Sequence, residues 1–419
     1  MRARKYSMAP ASLRQPHLTS SRRRTAAMSE ASHSGGGNIL LCVGTRPEII
    51  KMAPVYYELK QAGMEPLLLH TGQHKDMADP MYRFFRIVPD YSLNLSRTSD
   101  SLYHLSSLLL DSLGAAFDTV NPAAVLVHGD TSSAAMAALA AFYQRIPVGH
   151  VEAGLRSHSH YDPFPEEKNR ELIGRLAHWH FAPTDRARQN LRNENIPDAD
   201  IYMVGNTIVD AVRLAMSDFH ETIEHADDHC PSLKSLPAML DGRRLLFVTA
   251  HRRENLGQPL LDITATILEL LNTLPDLVVV WPVHSNPKIR TTVDEAFADL
   301  PPEVAERLYL TKPLAYPTTL KLLSEAWMAL TDSGGIQEEA ACMHLPVLIL
   351  RETTERPELV ESGAGLLTGT GRERIVAEIL RLSRDPEAYQ AMRNAPNPFG
   401  DGYAAARIRD ILSRSIDAI

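Results

Sequence analysis

The sequence predicts an α/β protein of two Rossmann-like, doubly wound sheets facing a cleft. Three observations carry this: the length, two successive series of short apolar runs alternating with helical stretches, and a polar break between the series. At 419 residues the chain is two to three times the roughly 150 residues of an average domain. Parallel strands buried on both faces read as short, nearly continuous apolar runs, and the crossovers between them require helices.

In the first series, residues 39–43, 66–70 and 124–128 read as buried strands, and 49–62 and 131–145 as the helices that follow two of them. Residues 179–182 and 201–204 continue the series and close a first lobe near Gly205. The second series has strands at 244–248, 277–281, 307–310, 328–330 and 345–350, with a helix over 259–273. Between them, residues 222–242 are polar and irregular, as in a surface loop. The expected organisation is a basic tail over 1–37, an N-terminal domain over 38–207, a C-terminal domain over 208–395, and a final helix over 396–419 packing back on the first domain.

Composition narrows the function. Apolar residues make up 44% and charged residues 22% of the chain, ordinary globular usage. The longest nearly apolar run, 134–143, is half the roughly 20 residues that cross a bilayer, so no membrane insertion is expected. Seven cations against Glu30 alone give residues 1–36 a charge of +6, so the body of this −8 chain carries −14. That balance disfavours nucleic acid as a partner. The tail lacks sustained apolar periodicity and reads as disordered. Cys42, Cys230 and Cys342 form neither a disulfide framework nor a zinc site, which favours a cytoplasmic setting. His225, Asp227, Asp228 and His229 fall in the polar loop, without the fixed geometry a metal needs; no metal is expected.

In doubly wound sheets, ligands bind outside the carboxyl ends of the strands, and the chemically informative residues recur there. After the first strand comes Gly44-Thr45-Arg46-Pro47-Glu48 and then Lys51, two cations at a helix N-terminus, an anion site. The 124–128 strand ends in His128-Gly129-Asp130-Thr131. Glu152 follows another short strand, and Glu166 and Arg170 stand at a helix entry. In the second lobe His251 and Arg252 follow the 244–248 strand, and His284 ends the next. Ser333-Gly334-Gly335 then forms a small-residue turn into a helix, with Glu339 one to two turns along it. Free N–H groups at such a helix start cradle phosphate. Neither GxGxxG nor Walker A spacing is present, so no nicotinamide cofactor and no P-loop are expected.

These stretches, GTRPEIIKMAPV, TGQH, HGDT, VEAGLRS, FPEEKNR, GNTIVDA, TAHRREN, PVHSNP, TDSGGIQEEA and TTERPE, occur in the order seen in the non-hydrolysing UDP-N-acetylglucosamine 2-epimerases, which the chain resembles from about Asn38 onward. The resemblance implies a two-lobed glycosyltransferase-B fold, a homodimer, no cofactor, and UDP in the interlobe cleft. It implies inversion at carbon 2 of UDP-N-acetylglucosamine through elimination and re-addition of UDP, by way of 2-acetamidoglucal. The product, UDP-N-acetylmannosamine, is a precursor of cell-surface polysaccharide.

By motif matching, Asp130, Glu152 and Glu166 become the acid/base groups, and His251 contacts the diphosphate. Arg46 and Lys51 hold the nucleotide side, Arg170 the sugar or phosphate, Ser333, Gly334 and Gly335 the phosphate, and Glu339 the ribose. His284 and Tyr316 complete the substrate-binding set. Gln73 and His284 also match the stretches through which many bacterial members bind a second, activating substrate molecule, whereas Asp76 and Ser99 depart from that pattern. Alternatives are an epimerase of a related UDP-2-acetamido sugar, a UDP-sugar glycosyltransferase of the same fold, the hydrolysing epimerase branch with its GTRxDxxK-like first motif, and an inactive nucleotide-sugar sensor.

Overall fold

The computed structural model describes residues 19–20, 38–73, 75–217 and 240–416. The four residues of the polar loop considered above as metal ligands, and most of the basic tail, lie outside them. The described part of the chain forms two sheets. The first contains β1 (Thr19–Ser20), β2 (Ile39–Val43), β3 (Leu67–His70), β4 (Tyr91–Ser92), β5 (Ala124–His128), β6 (Val148–Val151), β7 (Trp179–Ala182) and β8 (Ile201–Met203). Their order is β1-β4-β3-β2-β5-β6-β7-β8, parallel except for the short β1–β4 pair. The second sheet holds β9 (Arg244–Thr249), β10 (Leu277–Pro282), β11 (Leu308–Thr311), β12 (Met328–Thr331), β13 (Val347–Ile349) and β14 (Gly365–Leu367). All of its pairings are parallel, in the order β11-β10-β9-β12-β13-β14. The two doubly wound sheets expected from the sequence are present.

Successive residues of each strand enter opposite layers. Ile39, Leu41 and Val43 of β2 join one apolar cluster, while Leu40 and Cys42 join another across the sheet. In β9, Leu246 and Val248 face one layer and Leu245 and Phe247 the other. Burial on both sides explains the nearly continuous apolar runs. Chain order reverses between β2 and β5 in the first sheet and between β9 and β12 in the second. These switch points leave a crevice where loops diverge in opposite directions. The stretches singled out above, after β2, β5, β9 and β12, all leave strands flanking them.

The Thr207–Ser217 helix begins at the expected boundary between the domains and buries Ile208, Ala211, Val212 and Ala215 in an apolar cluster beside Ile49, Met52 and Val55 of the first lobe and Tyr316 and Leu320 of the second. The C-terminal helix Ala404–Ile416 enters the same cluster through Ala405, Ile408 and Leu412. Asp210 receives the N–H groups of Ala404 (3.2 Å) and Ala405 (3.0 Å) and so caps it.

The first switch point leaves no room beside Gly44. A Cβ there would lie 2.1 Å from Thr71 Oγ1 and 2.7 Å from Ser133 Oγ, two hydroxyls 2.8 Å apart in a buried hydrogen bond. Gly114, within the Leu102–Val120 helix, has nothing within 4 Å of an added Cβ. Gly44→Ala is expected to destabilise by about 1–3 kcal/mol through overpacking. Gly114→Ala should instead stabilise by about 0.5–1 kcal/mol through helix propensity. Urea unfolding midpoints of the two variants against the parent check both signs.

Candidate active site between the lobes

A cleft of about 620 Å³ opens between the two switch points. Its wall brings together Arg46, Lys51, Asp130, Glu152, Glu166 and Arg170 from the first lobe with His251, His284, Ser333, Gly334, Gly335 and Glu339 from the second. Residues up to 311 positions apart in the chain, Thr45 and Arg356, thus line one cavity, as strand-end loops do at paired switch points.

The first wall is built from β2. Thr45 precedes the Arg46–Gln61 helix, and Glu48 folds back to accept the N–H groups of Gly44 and Thr45, both at 2.7 Å. The same carboxylate receives the Thr131 hydroxyl at 2.5 Å. Glu48 therefore ties the loop after β2 to the loop after β5. Burial raises its pKa despite these donors, Thr131 being the largest opposing influence.

Asp130 leaves the β5 loop beside Gly129, whose φ is 65°. Arg170 donates to its Oδ2 from Nε (2.8 Å) and Nη2 (2.7 Å), and from Nη1 to Glu167 (2.8 Å). Asn169 Nδ2 holds the Asp130 carbonyl at 2.8 Å. The Arg170 guanidinium is thus a clamp on two carboxylates. Glu166 stands half-buried at the start of the Glu166–Leu176 helix, and burial raises its pKa, with negative charge from Asp130 and Glu355 acting in the same direction.

Glu152 occupies the left-handed region at φ 66°, costly for a residue with a Cβ and typical of sites where surroundings fix the backbone. Lys51 pairs with its carboxylate, and Asn206 Nδ2 reaches it at 3.1 Å. His128 Nε2 lies 3.7 Å away, beyond hydrogen-bond length. Burial works against the charged form of Glu152, but Lys51 and then His128 outweigh it and hold the carboxyl well below the usual range. Lys51 also contacts Glu338 of the second lobe at 2.8 Å, and Glu338 pairs in turn with Arg356. Lys51 therefore lies between carboxylates on both sides of the cleft.

In the second wall, β12 runs through Asp332 to Ser333, which precedes the Gly334–Cys342 helix. The exposed N–H groups of that helix start and its dipole form an anion seat. Glu339, on the same helix, is pushed up to about 7 by burial, against the opposing charge of Arg46. His251 and Arg252 follow β9, their N–H groups held by Asp332 Oδ2 at 2.7 and 2.8 Å. The His251 ring stacks on His284, with centroids 5.7 Å apart and planes 15° apart.

Tyr316, expected to bind substrate, does not line the cleft, and neither does Gln73, expected at a separate activating site. Tyr316 is fully buried, with its ring against Phe84 (5.8 Å) and Phe85 (6.2 Å) of the first lobe and the Arg46 guanidinium over it at 5.7 Å. Its bulk goes to interlobe packing because the Tyr316–Glu325 helix begins at that seam. Gln73 accepts a hydrogen bond from Ser133 at 2.6 Å, away from the cleft wall. Residues not assigned roles from the sequence also matter: Glu48, His128, Arg252, Glu338, Glu355 and Arg356 line the cleft, and Asp332 lies beneath His251. Their signal was present, since most stand inside the quoted motifs, but buried partners are defined only once both lobes are in place. Among the described residues no group of three or more His, Cys, Asp or Glu is arranged to hold a metal ion.

The family model for UDP-N-acetylglucosamine 2-epimerase matches residues 57–413. The UDP-N-acetylglucosamine 2-epimerase of Escherichia coli K12 is 42% identical over 379 residues, 90% of this chain and 98% of that protein. Among solved structures, the Neisseria meningitidis UDP-GlcNAc 2-epimerase bound to UDP-GlcNAc is 39% identical with a TM-score of 0.81, covering 90% of this chain and 100% of that one. The Methanocaldococcus jannaschii enzyme in complex with UDP-GlcNAc and UDP is 31% identical with a TM-score of 0.71, covering 90% and 99%. A family match over most of the chain, together with relatives about 40% identical over nearly their whole length, means that this chain belongs to the UDP-N-acetylglucosamine 2-epimerase family.

Proposed function

We propose that this chain is an isomerase that interconverts UDP-N-acetylglucosamine and UDP-N-acetylmannosamine by inverting carbon 2 of the sugar. The observation that carries this reading is the pairing, across one cleft, of acid/base carboxylates from the first lobe with an anion seat from the second. A carboxylate removes the carbon 2 proton while the bond from carbon 1 to the diphosphate oxygen breaks, and its electrons leave with UDP. The glucal formed keeps both carbons in the ring double bond. Return of a proton to the other face of carbon 2, and of the diphosphate oxygen to carbon 1, restores the atom count as the epimer. The His251 side and the Ser333 helix start face the charge that develops on the leaving group.

The environments of the carboxyls separate their tasks. Burial raises Glu166, so it keeps a proton to higher pH than an ordinary carboxyl, whereas Glu152 is held ionised by Lys51. Asp130, clamped by Arg170, faces the same cavity. Glu339 is placed to accept hydrogen bonds from the ribose diol, and the cleft must stay closed while the glucal is present. The same reading includes a homodimer, checked by sedimentation mass, and a cytoplasmic setting, supported by the free thiols of Cys42 and Cys342. Among the described residues, no helix is long and apolar enough to cross a membrane.

Incubation with UDP-N-acetylglucosamine in D2O, followed by NMR, is expected to give a UDP-linked manno epimer with deuterium at carbon 2. Free N-acetylmannosamine would place the chain with hydrolysing enzymes, and an unchanged, protonated sugar would exclude both. Asp130→Asn and Glu152→Gln are each expected to lower kcat by at least about 10²-fold with the circular dichroism spectrum retained. A rate near the parent's removes that carboxylate from the mechanism.

Glu339 sets a further pH dependence. Its folded pKa, about 7, exceeds the ordinary carboxyl value, so its contribution to stability is present in acid and is lost as pH rises through 7. Without nucleotide, thermal stability should fall between about pH 5 and 8, and Glu339→Gln should flatten that slope. UDP, whose ribose hydroxyls favour the ionised carboxylate, should bind up to about tenfold more weakly per pH unit below 7, as calorimetry at a pH series would show.

A further inference from the structure

Asp332 is fully buried at the end of β12, beside the second switch point. Its two oxygens have different surroundings. Oδ2 accepts three N–H donors: His251 N at 2.7 Å, Arg252 N at 2.8 Å and Asn255 Nδ2 at 2.9 Å. These bonds fix the loop after β9. Oδ1 makes none of them and is buried without a hydrogen-bond partner, while Nδ1 of the His251 imidazole lies 3.2 Å from it, at ion-pair distance. A buried carboxylate oxygen left without a donor is costly, so a small turn of the ring that brings an Nδ1–H onto Oδ1 is favoured.

We propose that Asp332 is a positioning residue for His251: its carboxylate holds the imidazole proton on Nδ1 and turns Nε2 toward the departing diphosphate. The inference rests on the role given to His251 above. In the neutral ring, a proton on Nδ1 leaves the Nε2 lone pair free. A proton taken from solvent onto Nε2 before the bond breaks makes the imidazolium, which Asp332 backs and which presents Nε2–H to the departing diphosphate. Asp332 thus acts through the imidazole, the relation of carboxylate to histidine in a hydrolase triad. The other groups facing the ring oppose its charged form. Burial comes first, with the stacked His284 and the Arg252 guanidinium adding to it, while Asp332 alone favours the charged form.

The neighbouring histidine supplies an internal contrast. His284 Nδ1 accepts the N–H of Asn286 at 3.1 Å, so the neutral His284 ring carries its proton on Nε2. The two stacked imidazoles are therefore opposite tautomers. No motif spacing announces this, because His251 and Asp332 are 81 positions apart and meet only where β9 pairs with β12.

The first test is on the unaltered protein and needs no turnover. Nitrogen-15 labelling of the histidines, with His251 and His284 assigned by loss of signal in His251→Gln and His284→Gln, reads both tautomers from two-bond nitrogen–proton correlations. Nδ1–H at His251 beside Nε2–H at His284 is expected; Nε2–H at neutral His251 overturns the proposal. The second test is a cycle of turnover rates. Asp332→Asn keeps the shape but replaces an acceptor by an amide and is expected to lower kcat by about 10²–10⁴-fold, with UDP affinity within about threefold of the parent. In a His251→Gln background the same change should cost less than about threefold more. An equal loss in both backgrounds makes Asp332 purely structural and overturns the proposal. If Asp332→Asn does not fold, the tautomer of the unaltered protein decides. A protein with the expected tautomers that fails to epimerise UDP-N-acetylglucosamine would reject the functional reading and leave the positioning intact.

Discussion

The buried ammonium of Lys51 is the contact on which the site most depends. It lies between Glu152 of the first lobe and Glu338 of the second, so one side chain neutralises a carboxylate in each wall. A buried ion pair seldom adds net stability over an apolar substitute, because taking both charges out of water costs about as much as their attraction returns. Its contribution here is arrangement. With Lys51 in place, Glu152 stays charged at a left-handed φ that it would otherwise have reason to leave. Glu338 is in turn shared with Arg356, so the charge row runs from one lobe's strand end to the other lobe's loop.

Around that row, the cleft is more acidic than a diphosphate would favour by simple attraction. Glu48, Asp130, Glu152, Glu166, Glu338, Glu339 and Glu355 line it against Arg46, Lys51, Arg170, Arg252 and Arg356. Several of those cations are already paired, Lys51 with two carboxylates and Arg170 with Asp130 and Glu167. On the proposed function, anion affinity would rest on directed dipoles: the Ser333–Gly335 helix start and the His251 side. This agrees with a body carrying −14 that acts on a nucleotide diphosphate. Directed donors at fixed positions discriminate charge location, which net charge does not.

Interlobe packing uses a different material. Tyr316 and Leu320 of the second lobe sit in the first lobe's apolar core, and the helices Thr207–Ser217 and Ala404–Ile416 bind the chain's crossing points to that same core. A seam that is apolar at one end and ionic at the cleft lets the two lobes share one register without filling the cavity between them. Tyr316, assigned to substrate binding by motif matching, is buried here against Phe84 and Phe85.

The sequence by itself determined the two sheets, since strands buried on both faces must be continuous apolar runs and such runs are visible without coordinates. It also marked Asp130, Glu152, His251 and Ser333, each of which follows a legible strand, and the structure gathers all four around one cleft. The partners of these residues were decided only by the tertiary structure. Lys51 reads as a cation near a helix start and becomes the link between two carboxylates; residues 208–217 read as the opening of the second domain and bury an apolar face against residues of both lobes; Asp332 reads as one residue of a turn and becomes the acceptor that holds the loop after β9. Local periodicity reports which side of an element is buried. It carries no information on what lies opposite, and a buried charge acquires its protonation and its orientation from that opposite neighbour.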